Sequence, residues 1–170
     1  MQRAIFLDRD GVLIKDGYDL CKYAYATKVS EVRMMDDVFM VLLKLKAKGY
    51  LLVVLSNQSG VTREGEETVE DVLAVEREIQ RRVGGLIDRF YYCFHGRMEG
   101  CSCRKPEKGL LLQAQKEFDI QFLGSYMVGD WDSDIELCND TPVKPYKFLG
   151  GSFKQVLEYI LENESRSETH

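Results

Sequence analysis

The sequence predicts an α/β protein built on a doubly wound parallel sheet, because short apolar runs alternate with amphipathic helical stretches. Runs rich in β-forming residues lie at 4–7, 50–55, 90–94, 126–128 and 144–149. Helical spacing of apolar residues marks the stretches 36–48, 68–83, 108–118, 133–139 and 152–163. Alternation of this kind is typical of a sheet with helices on both faces, which binds its ligands at the carboxyl ends of the strands.

The length and apolar content fit one domain. The chain has 170 residues, 45% of them hydrophobic, which is enough to bury a core of its own. We expect residues 1–163 to form a single domain and residues 164–170 to form a disordered tail. Within the first helix, we expect the core residues Phe39, Met40, Leu42 and Leu43.

Hydropathy and charge narrow the classes of partner. No apolar run approaches the roughly 18 residues that a membrane span needs, and the first apolar run is too short for a signal peptide. We therefore expect a cytoplasmic protein that does not contact membranes. The net charge of −5 argues against nucleic acid as a partner but leaves small anionic substrates open, since these respond to local charge.

Polar residues follow three of the predicted strands at the point where each strand ends. Asp8 and Asp10 follow the first apolar run, Ser56 and Asn57 follow the second, and Asp130 follows the fourth. Because the carboxyl ends of parallel strands meet at one edge of a sheet, we expect these residues to share a site.

The residue types at this edge suit phosphoryl transfer. Neighbouring carboxylates such as Asp8, Asp10 and Asp130 repel one another unless a cation intervenes, and magnesium favours oxygen ligands of this kind. Asp8 can attack phosphorus as a nucleophile, and Asp10 can act as the general acid and then the general base. Ser56 and Lys105 can steady the charge on the phosphoryl group.

Together these motifs resemble the haloacid dehalogenase superfamily of phosphatases. The four motifs are LDRDGV at 7–12, LSNQSG at 55–60, the lysine of CRKP at 103–106 and VGDWDSD at 128–134. The resemblance implies that Asp8, the backbone carbonyl of Asp10, and Asp130 hold magnesium. It also implies that Asp134 stabilises the metal site without binding the metal directly.

A cluster of sulfur and imidazole ligands lies between the second and fourth motifs. The cluster comprises Cys93, His95, Cys101 and Cys103, a Cys₃His set that fits tetrahedral zinc. Four protein ligands would leave zinc no open position, so we expect a structural zinc that orients the next residues, Arg104 and Lys105.

With the CRKP segment, this loop is similar to the zinc-bearing histidinol-phosphate and heptose-bisphosphate phosphatase branch of the superfamily. The resemblance implies that Arg104 contacts the substrate and that no large cap domain is present. The side-chain amide of Asn57 makes it a second candidate for substrate binding, because a phosphoryl group needs hydrogen-bond donors. Two features depart from the branch. Only five residues separate His95 from Cys101, and Trp131 stands where a basic residue commonly follows Gly-Asp.

We therefore expect a monomeric, magnesium-dependent phosphatase acting on a small phosphorylated metabolite, such as heptose 1,7-bisphosphate, another sugar phosphate or histidinol phosphate. A polynucleotide 3′-phosphatase is an alternative with similar motifs. A zinc-stabilised binding module that has lost its activity is another alternative, from a different class.

Overall fold

The computed structural model describes residues 1–15, 26–62 and 67–167, and the predicted parallel sheet is present in them. The five strands are Ala4–Leu7 (β1), Leu51–Asn57 (β2), Arg89–Cys93 (β3), Tyr126–Gly129 (β4) and Lys144–Lys147 (β5). All neighbouring strands are parallel, in the order β3-β2-β1-β4-β5. The chain changes direction across the sheet between β1 and β4, which is where such folds form their ligand crevice.

Helices cover both faces of the sheet, as the alternating pattern predicted. They are Val38–Ala47 (α1), Val69–Arg82 (α2), Gly109–Phe118 (α3), Asp132–Glu136 (α4) and Lys154–Ser167 (α5). The core on one face contains residues of α1, α2 and α5. The core on the other face contains residues of α3 and of the turn that follows α4. The fold is therefore a three-layer α/β sandwich, and no large cap domain interrupts the described residues.

The local sequence explains why strands and helices form where they do. Every residue of β1 is buried, and so are the apolar residues of β2, as expected for central strands covered on both faces. Helix α2 begins at a reciprocal cap. The Asp71 backbone N–H donates to Thr68 Oγ1 at 3.2 Å, and the Thr68 N–H donates to Asp71 Oδ2 at 2.9 Å.

The predicted end of the last helix near Asn163 and the predicted disorder from residue 164 are wrong for residues 164–167. Helix α5 continues to Ser167. The Glu164 carboxylate holds this turn against the body of the protein, because it accepts a hydrogen bond from the Tyr50 hydroxyl at 2.7 Å. It also pairs with Lys48 at 2.9 Å and with Arg3 at 3.2 Å. Residues 168–170 lie outside the described residues, and the single-domain division stays a prediction.

The expected core of α1 is also partly wrong. Leu42 is buried, but Phe39, Met40 and Leu43 are each more than two-fifths exposed. The helix instead turns a different stripe inward, Val38, Val41, Leu42 and Leu45. Because α1 is apolar on nearly every side, its composition did not indicate which stripe faces the sheet. Within the described ranges, no helix is both long enough and apolar enough to cross a membrane.

Candidate active site and metal centres

The carboxyl ends of the three central strands bring the predicted catalytic residues to one edge of the sheet. Asp8 directly follows β1, Ser56 is the next-to-last residue of β2, and Asp130 directly follows β4. The Asp8 backbone N–H donates to the Val128 carbonyl at 2.9 Å, which extends the β1–β4 pairing to the catalytic position. Asp8 is thus fixed at the crevice between these two strands.

Two glycines allow the carboxylates at this edge to converge. Gly11 has a φ of +77°, and a side chain there would overlap the Asp130 carboxylate. A side chain at Gly129 would overlap the side chain of Asp134. Glycine is therefore required at these two positions, because any Cβ would push the acidic residues apart.

Lys105 forms the centre of this edge. Its Nζ lies 3.0 Å from Asp8 Oδ1 and 2.6 Å from Asp134 Oδ1, and it donates to the Leu55 carbonyl at 2.7 Å. The lysine is almost fully buried. Burial alone would lower the pKa of Lys105, but the two carboxylates outweigh it and the pKa is raised. Lys105 is therefore a buried cation held by two carboxylates and one main-chain carbonyl.

The charge at Asp8 is only partly balanced by this lysine. Burial raises the pKa of Asp8 from 3.8 to about 8; Lys105 opposes the rise, while the nearby Asp134, Asp10 and Asp130 carboxylates add to it. The site thus holds more negative charge than its own lysine neutralises.

This edge fits a divalent cation. Oxygen atoms of Asp8, Asp130 and Asp134 all lie within 4.8 Å of one another. An all-oxygen, anionic donor set of this kind suits a hard cation such as magnesium. Both oxygens of Asp134 are already used, one by Lys105 and one by the Trp131 backbone N–H at 3.1 Å. Asp134 is therefore held at both oxygens by groups of the protein.

Asn57 occupies a different place from the one expected for a substrate contact. Its Nδ2 donates to the Lys105 carbonyl at 3.1 Å, and its Oδ1 accepts from the Lys105 backbone N–H at 3.0 Å. The side-chain amide therefore clamps the main chain that carries the central lysine. A substrate contact for Asn57 stays a prediction.

The four predicted thiol and imidazole ligands come together beside β3. Three sulfur atoms and one imidazole nitrogen lie within 4.8 Å of one another. They belong to Cys93, His95, Cys101 and Cys103. The Cys93 and Cys103 sulfurs are 3.2 Å apart, and His95 Nδ1 is 3.2 Å from the Cys103 sulfur. All three thiols are free, and burial raises the pKa of Cys93 to about 12. A soft divalent cation would remove the thiol protons and fill this centre.

A small cavity opens at the loop that carries the thiol cluster and Lys105. Its volume is about 260 Å³, and Arg97, Arg104, Lys105 and Glu107 are among the residues that line it. The Arg104 guanidinium donates to the His95 carbonyl at 3.3 Å, so a residue of the thiol cluster helps to orient it. Three cations therefore line the cavity, and one of them, Lys105, also contacts Asp8.

Comparisons with known proteins agree with this geometry. A family model described as polynucleotide kinase 3 phosphatase matches residues 3–136. The chain is 36% identical to a D-glycero-beta-D-manno-heptose-1,7-bisphosphate 7-phosphatase of Pasteurella multocida, over 96% of this chain and 93% of that protein. It is 35% identical to the protein of the same name from Helicobacter pylori, over 78% of this chain and 75% of that protein.

A solved structure extends the likeness to three dimensions. The D,D-heptose 1,7-bisphosphate phosphatase from B. bronchiseptica, complexed with magnesium and phosphate, superposes with a TM-score of 0.77 at 25% identity. The match covers 92% of this chain and 86% of that one. The chain belongs to the haloacid dehalogenase phosphatases. The sequence motifs had predicted this membership, and it makes the chain a phosphoric monoester hydrolase.

Two residues of this phosphatase site were not predicted from the sequence. Arg9 is fully buried, and its guanidinium binds the Asp10 carboxylate through Nε at 2.9 Å and Nη2 at 3.3 Å. Gln58 is also buried and contacts Arg9, Asp10 and Ser56. Both residues lie inside sequence motifs, Arg9 in DRD and Gln58 in SNQSG, and this was the available signal. Charged and amide residues next to strand ends usually face solvent, so burial was not expected.

Proposed function

We propose that this phosphatase hydrolyses a phosphate ester of a small sugar, with a heptose 1,7-bisphosphate as the preferred substrate. The observation that carries the proposal is the buried Asp8–Lys105–Asp134 arrangement at the carboxyl edge of the sheet. The near full-length similarity to heptose-bisphosphate phosphatases supports the substrate class. The cation-lined cavity supports an anionic substrate.

In the proposed reaction, a carboxylate oxygen of Asp8 attacks phosphorus in line with the ester oxygen. The new O–P bond forms as the ester P–O bond breaks, and Asp10 gives its proton to the departing alkoxide. Asp10 then takes a proton from water, which attacks the acyl phosphate. Inorganic phosphate leaves and the Asp8 carboxylate is restored.

Lys105 and Ser56 serve the phosphoryl group in both steps. The buried Lys105 ammonium already touches Asp8, so it lies where negative charge would develop on the transferring oxygens. Ser56 is buried at the end of β2, and its hydroxyl would donate to one of those oxygens. Arg104 lines the cavity that Lys105 also lines, and it would bind an anionic group of the substrate farther from the reacting phosphorus.

Magnesium would be held by Asp8, the backbone carbonyl of Asp10, and Asp130. Asp134 would not bind the metal and would instead hold Lys105 through their ion pair. The cation supplies charge neutralisation for a dianionic phosphoryl group that would otherwise meet a negatively charged nucleophile. The magnesium and phosphate in the B. bronchiseptica enzyme support this assignment.

Zinc would be held by Cys93, His95, Cys101 and Cys103 in a closed, structural site. Its role would be to fix the loop that carries Arg104 and Lys105. Three free thiols this close together favour a reducing compartment, which supports a cytoplasmic location. We also propose that the enzyme acts as a monomer.

A polynucleotide 3′-phosphatase is the second candidate, and the description of the matching family model favours it. The net charge of −5 counts against it, because nucleic-acid backbones require a basic surface. The inactive binding module is less well supported, because Asp8, Asp10, Lys105 and Asp130 are all present.

The deciding experiment is a phosphate-release screen with magnesium, using protein purified without chelator. The panel contains heptose 1,7-bisphosphate, histidinol phosphate, simple hexose phosphates and a 3′-phosphorylated oligonucleotide. We expect the heptose bisphosphate to show the highest kcat/KM, and Asp8→Asn to abolish release. Preference for the oligonucleotide would select the second candidate. Binding without turnover, unchanged in Asp8→Asn, would select the binding module.

A further inference from the structure

The buried side chain of Gln58 joins two residues of the proposed mechanism, Asp10 and Ser56. Its Nε2 donates to Asp10 Oδ2 at 2.8 Å and to Ser56 Oγ at 2.8 Å. Only 2% of the residue is exposed. One amide nitrogen therefore uses both of its protons to fix the proposed acid/base and the proposed phosphoryl-binding hydroxyl relative to each other.

The orientation of this amide is determined by its third contact. Gln58 Oε1 accepts from Arg9 Nη2 at 3.0 Å, and a guanidinium can only donate. The amide oxygen must therefore face Arg9, and the NH₂ group must face Asp10 and Ser56. Arg9 is itself held, because the same nitrogen also reaches the Ala26 carbonyl at 3.2 Å.

This orientation has a consequence for the Ser56 hydroxyl. The Ser56 oxygen accepts the hydrogen bond from Gln58, so its own proton is available for another acceptor. The acceptor at this edge of the sheet would be a phosphoryl oxygen. Gln58 thus makes Ser56 a donor towards the substrate while it holds the Asp10 carboxylate in a fixed position.

The backbone of Gln58 is equally constrained. Its N–H donates to the Cys93 carbonyl at 2.8 Å, which continues the pairing of β2 with β3 past the end of β2. The side chain therefore projects from a rigid position, which is what precise placement of catalytic groups requires.

We propose that Gln58 is a positioning residue for the transfer step, acting through Asp10 on the leaving group and through Ser56 on the phosphoryl group. The inference rests on the proposed function, since it takes Asp10 as the acid and Ser56 as the phosphoryl donor. It assigns a role to a residue that does not itself touch the reacting atoms.

The test compares Gln58→Met, which keeps the length of the side chain but removes its hydrogen bonds, with the wild-type enzyme. Two substrates are used under single-turnover conditions: heptose 1,7-bisphosphate, whose alkoxide leaving group needs a proton, and p-nitrophenyl phosphate, whose phenolate does not. We expect the rate of enzyme phosphorylation to fall about 100-fold for the heptose bisphosphate and about 10-fold for p-nitrophenyl phosphate. The KM values should change by less than about threefold, because a positioning residue acts on the transition state.

Three further variants keep the result interpretable. Gln58→Glu retains an acceptor for Arg9 but lacks the two donated protons, so it should reproduce the loss even if Gln58→Met is unstable. In a Ser56→Ala background, Gln58→Met should have a smaller effect than in the wild type, since one of its two partners is gone. Gln113→Met, at an exposed position of α3, should leave both rates unchanged.

The outcomes separate this inference from the proposed function. Equal rate losses for both esters, or a rise in KM alone, in an enzyme that still requires Asp8 would overturn the role of Gln58 and leave the phosphatase assignment intact. A wild-type enzyme that releases no phosphate from either ester would overturn both.

Discussion

The two ligand clusters of this protein are built in opposite ways. The carboxylate cluster, Asp8, Asp130 and Asp134, is assembled across the sheet and joins Asp8 to two residues more than 120 positions away. The thiol cluster, Cys93, His95, Cys101 and Cys103, comes from one strand end and the loop that follows it. The first therefore depends on the whole fold, whereas the second depends on local chain geometry and on its metal.

The difference extends to the charge within each cluster. The carboxylate cluster contains its own cation, Lys105, which contacts both Asp8 and Asp134. In the thiol cluster the sulfurs lie against one another, and the neighbouring Arg104 contacts the main-chain carbonyl of His95. We infer that metal removal leaves the carboxylate edge in place but loosens the thiol loop. Lys105, two residues after Cys103, links the two clusters.

The largest expected effect is on Lys105 itself. Lys105→Met would leave Asp8 and Asp134 as buried carboxylates without their cation, which costs about 3–5 kcal/mol of unfolding free energy. Loss of the charge should also lower kcat by about 10³-fold. Urea unfolding and phosphate release measure the two effects. Lys108→Met is the matched control, because Lys108 makes only a 3.9 Å pair with the exposed Asp140. An unchanged unfolding midpoint in Lys105→Met would contradict the central role of this lysine.

The next effect concerns the thiol cluster. Cys101→Ser should release zinc and lower kcat by about 10- to 100-fold, because the loop that carries Arg104 and Lys105 loses its anchor. Zinc content by atomic emission and the kcat of the same preparation provide the measurement.

Cys138→Ala controls for the loss of a thiol, since Cys138 lies outside the cluster, in the turn that follows α4. If Cys101→Ser lost zinc but kept full activity, the two clusters would be independent. The anchoring role of the thiol loop would then be wrong.

Much of this comparison could be predicted from the sequence, for a physical reason that differs between the clusters. The carboxylate cluster was predictable because buried strands read as apolar runs, and the residues after them must meet at one edge. The thiol cluster was predictable because its ligands are close in sequence. Both predictions used a rule that does not depend on side-chain packing.

The features that sequence reasoning missed all depend on long-range packing. Gln58 and Arg9 look like solvent-facing polar residues until the neighbouring strands bury them. Asn57 binds the main chain of Lys105 because the CRKP segment lies against the end of β2, a contact between residues 48 positions apart. The last turn of α5 is polar in sequence, and it is held by Tyr50 and other residues more than 100 positions away.

A smaller effect concerns the carboxylate cluster, whose contribution to the free energy of unfolding should depend on pH. In magnesium-free protein, folding raises the pKa of Asp8 from 3.8 to about 8, because burial and nearby carboxylates disfavour its charge. Between these values the folded state holds a proton that the unfolded state has lost, so stability falls as pH rises. The contribution of Asp8 to this fall approaches about 1.4 kcal/mol per pH unit.

Urea unfolding from pH 5 to pH 8, in protein dialysed free of magnesium but retaining zinc, would reveal this slope. Asp8→Asn should remove it, and saturating magnesium should flatten it by stabilising the ionised carboxylate. The same slope in Asp8→Asn would assign the pH dependence to another group.

The smallest expected effect lies at the contact between the strand edge and the loop that carries Lys105. Asn57→Ala would remove the two hydrogen bonds to the Lys105 main chain, each worth about 1 kcal/mol, and should lower stability by about 1–2 kcal/mol. The kcat should fall by less than in Lys105→Met, because the lysine keeps its contacts with Asp8 and Asp134. Asn139→Ala, at an exposed position after α4, is the control and should change neither quantity. A rise in KM without a loss of stability would instead indicate that Asn57 contacts the substrate, as its motif had predicted.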